Sequence, residues 1–305
     1  MKESTRKQLT AHLAMALACA FWGLMAPLGK EAMTHGIDGL TLVTFRVVGG
    51  ALLFWLTSLF VKTEHVPLRD KLMFAGAGLL GLVFNQCCYT IGLSITSPAN
   101  ASIVTTSMPI FAMILSALIL KEPLSVMKVS GVLIGCAGAV ILMLTSASAT
   151  SSREGNIWGD VLCLTAQFSF ALYLSLFNPL IRRYNVFTIN KWMFLWASLF
   201  VLPFSCRHVA EETDWSNVPV ATWLESFYVV FFGTYVGYIL TMIGQHTLRP
   251  TVVSVYNYVQ PIVSVTVSLA LGLAILSWSH FLAVVLVFSG VGLVIKSRAK
   301  GQKVP

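Results

Sequence analysis

The sequence predicts an all-α integral membrane protein: ten transmembrane helices in two inverted five-helix repeats. Three observations predict it. Of 305 residues, 56% are hydrophobic and only 10% are charged, with a mean hydropathy of +0.79. A soluble domain carries about 25% charged residues, so this composition cannot cover a water-facing surface and most of the chain faces lipid. The apolar residues fall into ten runs of spanning length. An ungapped register links the two halves.

The runs cover roughly 13–33, 40–61, 72–93, 98–120, 128–146, 157–177, 187–206, 223–245, 251–272 and 279–296. A spanning helix needs about 20 apolar residues, and barrel strands alternate over stretches of about ten, so helices are expected throughout. The first run follows a basic start (Lys2, Arg6, Lys7) but is longer than the apolar core of a signal peptide. Ala18-Cys19-Ala20 comes too early in it for cleavage, so the run is expected to be retained. The six cysteines all lie in apolar runs without a CxxC pair. Such cysteines behave as small hydrophobes, and no metal site, disulfide or cofactor is expected.

Basic residues sort by loop. With ten spans, the side holding the N-terminus carries 16 of the 20 Lys and Arg. Lys30, Arg153 and Arg207 fall on the other side, and Arg46 lies within the second run. The positive-inside rule then predicts both termini in the cytoplasm of a bacterial-type inner membrane. This sorting leaves no single basic face for nucleic acid, despite the formal charge of +8. The acidic stretch AEETDWSN (210–217) is expected as an outer loop.

PANASIVTTSMP (98–109) and PTVVSVYNYVQP (250–261) share their proline spacing at an offset of 152. In the same register Gly81 matches Gly233, Ile91-Gly92 matches Ile243-Gly244, Leu124-Ser125 matches Leu276-Ser277, and Gly138 matches Gly290. A unit of five spans is odd, so its second copy must enter the membrane upside down. Inverted repeats are characteristic of secondary transporters, whose sites lie where the halves meet. The expected division is 1–149 for the first repeat, 150–157 for a linker and 158–305 for the second.

FWG (21–23), FR (45–46), GL–TSPANAS–P (92–109) leading into KEPLS (121–125), and the second P…P copy stand in an order that resembles the EamA type of the drug/metabolite transporter superfamily. The resemblance covers nearly the whole chain. It implies transport of small metabolites, with efflux of amino acids or related compounds the commonest theme. One departure is that LAILS (273–277) puts Ala274 where a second KEPLS-like glutamate often stands.

Candidate site residues follow from polarity inside apolar runs. Ser102, Thr105 and Pro109 share one helix face, as do Ser254, Asn257 and Pro261, and the two prolines are candidate hinges because each frees a backbone carbonyl. Asn85, Gln86 and Tyr89 cluster in the third run, and Tyr235, Tyr238 and Gln245 in the eighth. Trp22 and Tyr173 occupy corresponding runs. Together these residues suit an aromatic-walled pocket with a few amides. Each hydroxyl could instead bond back to its own helix. Arg46 is the one charge deep in a run, expected either to meet an anionic group or to pair with Glu31 or nearby carbonyls. Glu122 is expected to cap a helix or pair with Lys128. Gly131, Gly135 and Gly138 are expected to pack helices closely. No Asp or Glu lies in the middle of a run, which disfavours proton antiport through a buried carboxylate. The expected partners are a small-molecule substrate and membrane lipid; the sequence leaves oligomeric state open. A membrane enzyme is the alternative class, but neither HExxH nor GxSxG occurs. A receptor or assembly protein is a third, and an inverted repeat argues against it.

Overall fold

A computed structural model describes residues 2–62, 64–96, 98–147, 156–211, 213, 215–270 and 278–297, and among these no strand occurs. The helices of six or more residues are α1 (Lys2–Thr34), α2 (Gly39–Ser58), α3 (Leu68–Ile95), α4 (Pro98–Thr105), α5 (Met108–Ile119), α6 (Val126–Ala147), α7 (Ile157–Leu176), α8 (Val186–Glu211), α9 (Val220–Thr247), α10 (Pro250–Val255), α11 (Val259–Ala270) and α12 (Trp278–Lys296). Among the described residues six helical segments are long and apolar enough to cross a membrane: Thr5–Thr34 of α1, and α2, α3, α7, α8 and α9. Apolar side chains on their outer faces, such as Leu13, Leu52, Phe204 and Leu224, are exposed. In water they would form large apolar patches; in a bilayer they meet lipid. The chain is a multi-pass integral membrane protein.

Local chemistry sets the helix starts. Asp38 caps α2, its Oδ1 accepting the Thr41 N–H at 3.0 Å, and Asn156 caps α7 by accepting from the Trp158 N–H at 2.9 Å. Pro67 and Pro219 lead into α3 and α9 with matching extended backbone, φ −63° ψ 154° and φ −63° ψ 153°.

Two expected spans are not continuous. The run 98–120 divides into α4 and α5, with Pro109 in the first turn of α5. Pro109 has no N–H to give the Thr105 carbonyl. Thr106 and Ser107 at the break donate their hydroxyls to the carbonyls of Ile103 and Val104, at 2.6 and 2.7 Å. The run 251–272 divides likewise: α10, a 3₁₀ turn at Tyr256–Tyr258, then α11, which contains Pro261. The ten continuous runs expected thus resolve as six long spans and several shorter helices. Linker residues 150–155 and the LAILS segment with Ala274 lie outside the described residues.

The 152-residue register holds in three dimensions. α3 and α9 both widen into π-helical turns, at Leu79–Phe84 and Val229–Val236, and both return to α-helix at corresponding positions, Asn85 and Gly237. Corresponding cations cap the ends of these helices. Lys30 Nζ donates to the carbonyls of Leu93, Ser94 and Thr96 at 2.8, 2.9 and 3.3 Å. Its counterpart Arg182 donates from Nη2 to the carbonyl of Leu248, the counterpart of Thr96, at 3.1 Å.

Glycine contacts give the helix directions. Along α3 and α7, Gly92 faces Gly159 while Gly81 faces Tyr173, so the two run antiparallel. Along α1 and α9, Gly244 faces Met15 and Gly233 faces Met25, again antiparallel. α6 and α12 form a third antiparallel pair. A Cβ on Gly131 would lie 2.9 Å from the Gly290 carbonyl oxygen, and one on Gly138 would lie 2.8 Å from that of Ala283. Ala283 is the counterpart of Gly131 and Gly290 that of Gly138, so this seam is self-complementary, as a twofold relation requires. The expected glycine packing of α6 is therefore present, and its partner is α12.

Candidate functional site

Where α1, α2, α3, α7 and α9 converge with the two broken helices, a cavity of about 60 Å³ opens. It is lined by Trp22, Arg46, Asn85, Gln86, Tyr89, Thr105, Tyr238 and Asn257, all expected from sequence, together with Met25, Gln167, Phe170 and Gln260. Two pairs of lining residues are counterparts in the repeat: Gln86 with Tyr238, and Thr105 with Asn257. The cavity therefore straddles the relation between the halves.

The π turns build much of its wall. A π turn leaves carbonyls outside the ordinary i→i−4 ladder, and here side chains of the opposite half use them. The Gly81 carbonyl accepts from the Tyr238 hydroxyl at 3.3 Å, and the Gly233 carbonyl accepts from Trp22 Nε1 at 2.8 Å. Gly81 and Gly233 are counterparts, so the exchange is reciprocal. It fixes Trp22 and Tyr238 against each other, edge to face, with ring centroids 6.0 Å apart. Ser169 donates to the Leu80 carbonyl at 2.8 Å in the same π segment.

The amides are held at graded tightness. Asn85 Nδ2 donates to the Ala166 carbonyl at 3.0 Å. Gln86 Nε2 donates to the Tyr238 hydroxyl at 3.2 Å, while its buried Oε1 has no partner. Asn257 Oδ1 accepts from Gln260 Nε2 at 2.9 Å, and Asn257 Nδ2 points to the Met108 sulfur at 3.0 Å. The Thr105 hydroxyl donates to the Ala101 carbonyl of its own helix. Arg46 does not pair with Glu31, which contacts His35 instead. Its Nε donates to Thr234 Oγ1 at 3.1 Å and its Nη1 approaches Thr90 Oγ1 at 3.5 Å.

Other expected site residues do not line this cavity. Tyr173 donates its hydroxyl to Gln245 Oε1 at 3.2 Å, which occupies the phenol and leaves the buried Gln245 Nε2 without a partner. Tyr235 shares a 2.6 Å hydrogen bond with Thr57, and Ser254 donates to the Thr251 carbonyl. Ser254 thus bonds back to its own helix, the alternative the sequence offered, whereas Tyr173 and Tyr235 found partners on other helices. Ser102 lies in α4, its side chain outside the described residues. Among the additions, Gln167 and Gln260 carried a signal: each is an amide in an apolar run. Met25 and Phe170 carried none, since apolar residues there suit lipid, core or cavity equally. Glu122 pairs with Lys128 Nζ at 2.9 Å and accepts from Thr251 at 3.1 Å, at an end of the molecule away from the cavity.

Fold and cavity define a multi-pass helical membrane protein built from a duplicated unit. The EamA-like transporter family model matches the chain twice, over residues 9–144 and 157–296, and the chain belongs to that family. It is 23% identical over 305 residues to "Uncharacterized transporter YetK" of Bacillus subtilis (strain 168), covering 98% of this chain and 91% of the relative. It is likewise 23% identical over 316 residues to "Uncharacterized inner membrane transporter YicL" of Salmonella typhimurium (strain LT2), covering 98% and 99%. A solved structure titled "Crystal structure of protein" superposes with a TM-score of 0.73 at 19% identity, over 96% of this chain and 100% of that one, a likeness of fold.

Proposed function

We propose that this protein moves a small metabolite across the membrane by alternating access, with the central cavity as the substrate site. The moving bodies are two inverted five-helix halves, 1–149 and 158–305, joined by the linker 150–157. The observation that carries the reading is that Gln86 with Tyr238, and Thr105 with Asn257, are counterparts facing one cavity. A site on the axis between antiparallel copies is what rocking of the halves exposes first to one side and then to the other. Pro109 and Pro261, beside the breaks in the fourth and ninth runs, serve as hinges. The resemblance to EamA-type exporters and the inner-membrane relative point to efflux of amino acids or related compounds across the inner membrane, with both termini cytoplasmic. The absence of a carboxylate among the cavity residues suits a facilitative carrier.

The test is flux from proteoliposomes loaded with a panel of amino acids and small metabolites, with Asn85→Ala and Asn257→Ala run beside the parent. Substrate-selective efflux that falls in both folded variants is expected. Efflux undiminished in both would remove the cavity from the path.

A further inference from the structure

Arg46 is only 4% exposed and forms part of the cavity wall. Its two hydrogen-bond partners, Thr234 and Thr90, are neutral hydroxyls. Among the described residues no carboxylate pairs with it, and the cavity wall holds none. Among the described residues its hydrogen bonds run from Nε and Nη1 only. A guanidinium keeps its charge at any physiological pH. A buried charge without a counter-ion is costly, and it is retained where something else supplies the opposite sign. Gln86, which lines the same cavity, has a buried Oε1 without a partner. The wall thus holds one fixed positive charge, with Trp22, Phe170 and Tyr238 lining the same cavity.

We infer that the cavity takes a substrate of one net negative charge, a monocarboxylate docked on Arg46 with an apolar body against the aromatic ring. This rests on the cavity being the transport site. Charge counting sets the class. A monoanion makes the loaded site neutral. A zwitterion leaves it at plus one, and a dianion leaves it at minus one, each an uncompensated charge at low dielectric. The guanidinium fork matches a carboxylate in two-point geometry.

A direction follows. With no coupling carboxylate at the site, the charge that crosses is the substrate's own. A membrane negative inside drives a monoanion outward, and at equilibrium the ratio across the membrane changes about 50-fold per 100 mV. Export then needs no coupled ion.

The test uses full-length protein in liposomes with the potential clamped by potassium and valinomycin. The probes are three matched triplets: the N-acetyl acid (monoanion), the free amino acid (zwitterion) and the amino-acid amide (cation) of alanine, leucine and phenylalanine. We expect one or more N-acetyl acids to leave fastest, several-fold faster with the interior negative than with it positive. Arg46→Gln should lower that flux at least tenfold and remove the preference for the monoanion, while Arg46→Lys keeps the sign of the potential dependence. The dependence on potential is read in the parent protein, so it stands even if a variant fails to fold. Flux favouring the zwitterion or the amide, unchanged in Arg46→Gln, would overturn the inference and leave the transport reading intact. No flux from any triplet, with folded protein, would sink both.

Discussion

Gln86 donates a hydrogen bond to Tyr238, the residue that stands in its own place in the second half, 152 positions on. Two counterparts can touch only where the relation between the halves passes between them. This contact therefore marks the axis, and both residues face the cavity. A double-mutant cycle of Gln86→Leu and Tyr238→Phe, read by thermal unfolding in detergent, should return a coupling of roughly 0.5–1.5 kcal/mol. Additive effects would mean the contact does not join the halves.

The two π-turn glycines should differ under the same substitution. A Cβ on Gly81 would lie 2.8 Å from the ring of Tyr173, which is fully buried and held by Gln245. A Cβ on Gly233 would lie 2.9 Å from the sulfur of Met25, which can swing aside. Gly81→Ala should cost about 1–3 kcal/mol and Gly233→Ala less than about 1 kcal/mol. Equal losses in the two melting curves would refute the difference in rigidity.

The α6–α12 seam allows no side chain at Gly290. There a Cβ would stand 2.5 Å from the Gly135 nitrogen and 2.6 Å from the Gly131 carbonyl oxygen, both backbone atoms. Gly290→Ala should force the helices apart and lower the melting temperature, at a cost of about 1–3 kcal/mol or more. At Gly292, where nothing lies within 4 Å, the same change should be nearly silent. Similar shifts at both positions would count against the seam.

Lys128 is 1% exposed and meets Glu122 at 2.9 Å, and Thr251 of the other half joins the same carboxylate. Glu122→Leu leaves the ammonium buried and unpaired and should cost roughly 3–5 kcal/mol, whereas adding Lys128→Met should recover much of that loss. A double variant no more stable than the single one would show that Glu122 acts through Thr251 rather than through the ion pair.

Much of this was written where the chain is most constrained. The paired prolines, Gly81 with Gly233, and Gly138 with Gly290 disclosed the register, because a close approach or a missing N–H leaves few residue choices. Asn85, Gln86, Tyr238 and Asn257 stood out because amides and phenols are costly in hydrocarbon. The same rule also pointed to Tyr173 and Gln245, which meet each other rather than the cavity. Polarity in an apolar run says that a partner exists and does not say which. The π turns were illegible, since LLGLVF and VVFFGTYV are equally at home in an α-helix, and tertiary contacts such as Trp22 with the Gly233 carbonyl select the wider turn. Arg46 was legible as a buried charge, but its neighbours Thr90 and Thr234 are distant in the chain and neutral, so no charge pattern could name them.

Lys30 and Arg182 occupy one position of the repeat, and each caps the end of a helix with its charge. Along α2, Gly39 meets Thr90 while Trp55 and Lys71 share Trp192, but Phe45 meets Trp223 and Thr57 meets Tyr235, so α3 and α9 point in opposite directions. With the halves inverted as proposed, one of these two cations is carried across whichever way the nascent chain enters the bilayer. Neither can bias the choice of orientation, because the pair casts one vote each way. That decision passes to the basic residues that have no counterpart, and the caps are free to change between Lys and Arg without turning the protein over.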